Sequence, residues 1–242
     1  MKRTVIILIL VSCLYPPRAF SESPGVVRLV AGPYSPFTGE GLQDKGIASK
    51  IVSDAFKNEG LQTEIVIRPW KRAFVETKKG KFHGSLLWRK TTDRQSFFYY
   101  SDPVVEVQVV FFHLKSKKFN WNKLNDLAGL KIGAVNSFNY DDEFDAAMKS
   151  GLLMADYVTT QEQNFRKLLN GRIDITPVVK RSGYATIKEM FTPNEIALIT
   201  SHPLPLANQE LHLVLSKKLP ENKKILKSFN RGLKKLKDSG KI

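Results

Sequence analysis

Three short segments gather side chains suited to holding a polar guest. Tyr34-Ser35-Pro36-Phe37 follows one apolar run, Pro69-Trp70 a second, and Trp88-Arg89-Lys90-Thr91-Thr92-Asp93-Arg94 a third. Each sets aromatic rings or guanidinium groups beside residues that form loops, which is recognition chemistry. Bond-making chemistry is not signalled. His83, His113, His202 and His212 lack metal-ligand spacing, and with Cys13 the one cysteine no zinc cluster can form. There is no G-x-S-x-G elbow and no Walker loop, since Gly80-Lys81 lacks both the upstream glycine and the following Ser/Thr. Asp141, Asp142, Glu143 and Asp145 crowd together at a helix start, where carboxylates usually cap and complement the helix dipole. No metal and no cofactor is expected.

The elements that must position these segments alternate between strand and helix. Val26 to Ala31 is a short apolar run ended by Gly32-Pro33, a strand with a breaker. Residues 46–60 place Ile47, Ile51, Ala55 and Phe56 on one helical face, with Gly60 as the stop. Glu64 to Ile67 reads as a strand, 71–79 as a helix stopped by Gly80, and Ser85 to Trp88 as a third strand. This alternation with short joints is the pattern of an open α/β sheet. In such a sheet the carboxyl ends of the strands line the ligand crevice, so all three segments converge on one mouth.

A second series begins near residue 123. Strands are expected at 131–135, 156–159 and 173–175, and helices at 142–150 and 161–169. Between the series lies a long β-rich run, Val104 to Leu114, that reads as a strand leaving one lobe for another. After Leu211 to Leu215 returns, the chain ends in a helix over 221–239. Ile225, Leu226, Phe229, Leu233 and Leu236 form its apolar stripe, and Lys223, Lys224, Lys227, Arg231, Lys234, Lys235 and Lys237 cover the rest. That basic face is either a solvated outer surface or a contact for an anionic one.

The chain has 242 residues, 42% hydrophobic and 25% charged, enough for real cores without disulfides. Its 38 Lys+Arg against 23 Asp+Glu give a net charge of +15, which favours an anionic partner, surface or ligand. Lys2 and Arg3 precede the apolar run Val5 to Val11 and a small-residue stretch at Ala19-Phe20-Ser21, the outline of a secretory signal peptide over 1–21. A periplasmic protein is expected, and export argues against nucleic acid as partner. Leu10-Val11-Ser12-Cys13 resembles a bacterial lipobox, which leaves lipidation at Cys13 as an alternative.

Taken together, residues 26–240 resemble the bacterial extracellular solute-binding proteins of family 3. The resemblance rests on Tyr34-Ser35-Pro36-Phe37, the glycine-led helix at Gly46, Trp70, and above all Thr91-Thr92-Asp93-Arg94 followed seven residues later by Ser101-Asp102-Pro103. Leu124 to Gly133 then matches the family's entry to its second lobe. The resemblance implies a type II periplasmic binding protein fold: two α/β lobes, each an open sheet flanked by helices, joined by two hinge strands. Lobe one would comprise 22–114, lobe two 115–205, and 206–242 would return to lobe one with the C-terminal helix. A small polar solute would be trapped as the lobes close, then delivered by a monomeric receptor to the membrane permease of an ABC transporter.

Carried over by position, the resemblance implies that Arg94 grips a ligand carboxylate, its planar fork meeting two oxygens at once. Tyr34 and Trp70 would be aromatic walls, Thr91 would help through its hydroxyl or N–H, and Asn136-Ser137 would offer donors at a helix start. Trp88, Arg89 and Tyr140 complete the candidate set. Rival roles stand beside these: an ion pair with Asp93 or Asp102 for Arg94, core packing for Trp70 and Trp88. One departure matters. Amino-acid receptors of this family carry an aspartate for the ligand's ammonium shortly after a lobe-two strand, where this chain has Val179 and Lys180. With Lys180, Arg181, Arg89 and Arg94 near one cleft, an anionic solute gains weight over an ordinary α-amino acid. Two other readings stay open: a sensing or envelope-interaction module without transport, and a small-acid dehydratase, for which Glu40, Asp44 or His83 would have to face the cleft.

Overall fold

A computed structural model describes residues 25–136 and 138–242. The expected signal peptide, Cys13 and Ser137 lie outside these described residues. Among them the strands are β1 (Val26–Ala31), β2 (Gln62–Ile67), β3 (Gly84–Arg89), β4 (Phe98–Leu114), β5 (Ile132–Val135), β6 (Ala155–Val158), β7 (Ile175–Val179), β8 (Ile199–Ser201) and β9 (Ala207–Ser216). The helices are α1 (Ile47–Lys57), α2 (Trp70–Lys78), α3 (Thr92–Gln95), α4 (Asp142–Lys149), α5 (Gln161–Leu169), α6 (Lys180–Met190), α7 (Pro193–Leu198) and α8 (Asn222–Asp238). The strands follow the order β2-β1-β3-β9-β4-β7-β5-β6, with β8 paired to β4. β1 runs parallel to both β2 and β3, and β5 parallel to β6 and β7, the two βαβ series expected from the alternation.

Two long antiparallel strands join the series. β4 pairs with β9 from Phe98 to Val109, then with β7 and β8 from Val109 to Leu114, so one strand is shared by both halves of the sheet. The run was legible from Val104 onward; the polar and aromatic stretch Phe98 to Asp102 joins it because β9 supplies hydrogen-bond partners there. β7 begins at Ile175 and extends to Val179, later than expected, and all five of its residues are buried. Asp174 instead accepts from the backbone N–H of Lys131 at 2.8 Å and pairs with Lys117 at 2.5 Å, ending the strand on the surface.

α1 and α8 pack together against the first half. The buried face of α1 is Ala48, Ile51, Val52, Ala55 and Phe56, whereas Ile47 is exposed. The apolar period is thus set by Ala48 rather than Ile47, which falls one position off the stripe at the helix start. Phe56 and Phe229 are fully buried with ring centroids 4.9 Å apart. Gly232 lets the helices close in, because a Cβ there would lie 1.9 Å from the carbonyl oxygen of Ala55. Gly46 has φ +102° and presses on the carbonyl of Phe37, so glycine is needed where the Tyr34–Phe37 loop meets α1. Across the second half, Phe112, Phe165, Leu168, Ile173, Val178 and Ile187 form a separate buried cluster.

Candidate functional site

The carboxyl ends of β1, β2 and β3 meet the loop after β5 and the start of α5 across a cleft. Two adjoining volumes of about 310 and 510 Å³ make it up, sharing Tyr34, Trp70, Phe138, Asn139, Thr159 and Gln209 in their walls. Pro69 precedes α2, its carbonyl accepting from the Arg72 and Ala73 N–H groups at 2.9 and 3.0 Å, which sets Trp70 at the first helical position. Gly32 clears the space the indole occupies: a Cβ at that position would fall 2.1 Å from Trp70 Cδ2 and Cε2. Trp70 then stands edge-on to Trp88, centroids 5.2 Å apart, and to Tyr34 at 6.2 Å. Aromatic edges directed at ring faces in this way hold one another in place.

β3 carries an irregularity that shapes the wall. Its register against β9 shifts between Ser85 and Trp88, and Leu87 takes φ +65° there. A left-handed leucine inside a strand is a costly conformation that the surrounding pairing must enforce, and such positions concentrate at binding sites. Leu87 thereby reaches the cleft wall, while Trp88 is 8% exposed and donates its Nε1–H to Ser85 Oγ at 2.7 Å. Trp88 is both core and wall: it packs with Phe98 and Val214 behind and lines the larger volume in front.

The guanidinium of Arg94 lies over the Trp88 ring, 4.9 Å from its centroid. Its Nη1–H donates to the carbonyl of Arg89 at 3.1 Å and its Nη2–H to Asn139 Oδ1 across the cleft at 3.3 Å. Neither Asp93 nor Asp102 is its partner among the described salt bridges. Thr91 caps α3, its hydroxyl accepting from the Arg94 N–H at 3.4 Å, so this side chain aims the helix that carries Arg94. Burial, and then the neighbouring Arg89 cation, push Arg94 below the ordinary arginine value, while Tyr100 acts in the opposite sense. Arg89 spans the cleft to pair with Asp142 at the start of α4, and its Nη1 is buried with no hydrogen-bond partner.

From the far side come Asn136, Phe138, Asn139, Tyr140, Thr159 and Thr160. Asn136 is exposed, with its backbone N–H donating to Val158 at 2.8 Å. Tyr140 is buried, its hydroxyl accepting from the Val135 N–H at 2.8 Å, and its ring packs near Phe144. Burial pushes the phenols of Tyr34 and Tyr140 far above the ordinary tyrosine value, so both keep their protons at neutral pH. Gln209 on β9 donates to the carbonyls of Asn139 and Tyr140.

Lys180 and Arg181 do not join this group. They line a separate hollow of about 750 Å³ beside β4, with Lys50, Asp54, Glu106 and Lys241. α6 starts at Lys180 and turns those side chains away, presenting Ser182 and Thr186 to the cleft instead. Glu40, Asp44 and His83 are absent from the cleft walls; His83 Nδ1 accepts from the Arg28 N–H at 3.0 Å and Glu40 pairs with Lys45. Phe138 and Asn139 fall within the stretch 136–140 expected to face the solute, whereas sequence reasoning missed Thr159, Thr160, Gln209 and Lys71. The Thr159-Thr160-Gln161 step had a signal, a capping box with Gln163 that opens α5; Gln209 had none. The described walls hold the cations Lys71, Arg89 and Arg94 and no carboxylate. Among the described residues no three His, Cys, Asp or Glu side chains stand close enough to hold a metal ion.

Residues 27–242 match the family described as bacterial extracellular solute-binding proteins, family 3. No curated protein sequence matches the chain. Among solved structures, an ancestral arginine-binding protein bound to arginine is similar at a TM-score of 0.73 and 18% identity, covering 90% of this chain and 95% of that one. A histidine kinase sensor domain with similarity to periplasmic binding proteins has a TM-score of 0.73 at 20% identity, covering 89% of this chain and 92% of that one. The GluR0 ligand-binding core from Nostoc punctiforme in complex with L-glutamate has a TM-score of 0.68 at 13% identity, covering 88% and 94%. At these identities the likeness is one of fold, a mixed α/β sheet with flanking helices in the type II periplasmic binding protein arrangement.

Proposed function

Since the chain belongs to the bacterial extracellular solute-binding proteins of family 3, we infer that it captures a small carboxylate-bearing solute lacking an ammonium group. The observation that carries this reading is the charge of the cleft: Lys71, Arg89 and Arg94 in the walls, no carboxylate among the described wall residues, Asp142 pairing with Nη2 of Arg89 from the exposed start of α4, and the buried Nη1 of Arg89 left without a partner. A buried donor and a desolvated cation are both costly until an anion meets them. Tyr34, Trp70 and Trp88 supply the apolar side of the guest's surface. An α-amino acid would bring an ammonium into a pocket of like charge, a repulsion that works as a specificity filter.

The mechanism is a shift of population between open and closed arrangements, which requires that solute touch both halves. Arg94 from the first half, with Asn136, Ser137 and Asn139 from the second, would make those contacts, and β4 and β9 would bend as the hinge. In this reading the first lobe spans 22–114 and 206–242 and the second 115–205; residues 1–21 direct export, and a membrane permease receives the solute. The protein acts as a receptor rather than an enzyme.

The test is a thermal-shift screen against mono- and dicarboxylates, amino acids, polyamines and sugars, with Arg94→Ala in parallel. A ligand at a hundred times its Kd stabilises the native state by about 2.7 kcal/mol, roughly 5–11 °C for a chain of this size. Carboxylates should shift the wild type and fail to shift the variant. A polyamine or α-amino acid as the sole hit, or a shift untouched by Arg94→Ala, would refute the reading.

A further inference from the structure

The two ends of the first-half sheet differ in character. β3 runs from Gly84 to Arg89, so Arg89 stands at the cleft and the residues before Gly84 stand at the opposite pole, roughly 17 Å away at about 3.3 Å per residue. β9 runs antiparallel and sets Leu215 against Gly84, which brings Lys217 and Lys218 to that same pole, where α8 begins. Two lysine-rich pieces of chain distant in sequence, 78–81 and 217–227, meet there beside the aromatic start of β4. Lys217 Nζ lies 5.4 Å and Lys223 Nζ 5.9 Å from the centroid of the Tyr99 ring, and Lys78 Nζ lies 3.4 Å over Phe97. Lys79 and Lys81 flank Gly80, whose Cβ position is 3.1 Å from Lys218 Cβ. Lys224 and Lys227 extend the exposed cluster along α8.

None of these lysines has a carboxylate within ion-pair distance among the described residues. Further along α8 the pattern changes: Arg231 and Lys235 are tied to Glu59, and Lys234 to Asp238. Eight lysines without an ion pair therefore share this end of the molecule, with Glu76, itself tied to Arg68 and Arg72, and Glu221 the acids nearest in sequence.

We propose that this pole docks the protein on a membrane surface rich in anionic phospholipid. The cluster is made of lysine without arginine, and none of its residues lines any of the cavities described here. Strongly hydrated point charges spread over a surface match the diffuse charge of lipid headgroups, whereas a specific acidic partner is met by guanidinium forks and pockets. Docking by this pole leaves the cleft, at the other end of β3, open to solvent.

Co-sedimentation of the full chain with phosphatidylglycerol/phosphatidylcholine vesicles tests this. Binding should exceed that to pure phosphatidylcholine and fall steeply between about 50 and 500 mM NaCl as charges are screened. Each lysine near an anionic surface contributes about fivefold, so Lys218→Gln with Lys224→Gln should lower the partition coefficient by roughly 25-fold. Lys149→Gln with Lys188→Gln, exposed lysines of the second half without ion pairs, makes the same change in net charge and should move it less than about twofold. The N-terminal segment is common to all forms, and melting curves confirm folding. Equal loss in the two double variants would mean that net charge alone acts, and binding that ignores lipid charge or salt would mean that the N-terminal apolar run acts; either result overturns the proposal.

Discussion

Gly32→Ala should damage the cleft by way of one side chain. Gly32 does not adopt a positive φ, so alanine meets no backbone strain there, and removing glycine's freedom in the unfolded chain would by itself stabilise by about 0.4–1 kcal/mol. The new methyl, however, would lie 2.1 Å from two atoms of the Trp70 indole and 2.5 Å from Nε1. Ordinary carbon contact is about 3.5–4.0 Å, so the ring must retreat by roughly 1.5 Å. It is pinned edge-on between Trp88 and Tyr34, and each such pair is worth about 0.5–1.5 kcal/mol; overpacking of this kind costs about 1–3 kcal/mol. The net expectation is a loss of about 1–3 kcal/mol, a fall in Tm of roughly 2–12 °C, and at least a tenfold loss of solute affinity. The decisive assay is a double-mutant cycle by urea unfolding with Trp70→Ala. In that background the three nearest clashes of the methyl are removed, so Gly32→Ala should be neutral or mildly stabilising, and the coupling should exceed 1 kcal/mol. Additivity within about 0.5 kcal/mol would refute the reasoning.

Other expectations concern the support beneath the site. Gly232→Ala would raise helix propensity in α8 by about 1 kcal/mol, yet its Cβ would strike the Ala55 backbone at 1.9 Å; Tm should fall by several degrees, and a Tm equal to or above wild type would contradict the packing. Glu59 is held below the ordinary glutamate value, first by its hydrogen bond from Lys235 and then by that from Arg231. Its contribution is complete above the unfolded-state value and is lost as pH falls through the lowered folded-state value. The Tm deficit of Glu59→Gln should therefore be present at pH 7 and shrink toward pH 3, and a deficit constant with pH would show that the pairing is not what is lost.

Much of the architecture was legible locally. Apolar runs ended by Gly32-Pro33 or Gly80, and helical stripes such as Phe229-Leu233-Leu236, report on neighbours a few residues away, and those neighbours determine β1, α2 and α8. The helices α3, α6 and α7 and the strand β8 escaped notice; α6 carries Gly183 in its interior and buries only Ser182, Gly183 and Ile187, so it shows no apolar stripe. Four residues of Thr92–Gln95 carry no period, and the three of β8 form a strand by pairing with the end of β4. Tyr34, Trp70 and Arg94 could be placed at one mouth because parallel strands present their carboxyl ends together.

Other parts of the site depend on contacts between residues far apart in the chain. Gln209 enters the cleft because β9 crosses beside β4, and no local pattern marks it. Whether Trp88 would be wall or core was open in the sequence; a register shift at Leu87 makes it both. Lys180 and Arg181, grouped with the cleft cations by type, were turned to another hollow by the start of α6. The lysine pole shows the same division in reverse. Composition alone established a surplus of positive charge, but only the antiparallel pairing of β3 with β9 decided that Lys78–Lys81, Lys217 and Lys223 would share one surface. Local periodicity sets which elements form; long-range strand pairing sets which side chains meet, because its register depends on residues from about 36 positions away, as between β1 and β2, to more than a hundred, as between β3 and β9.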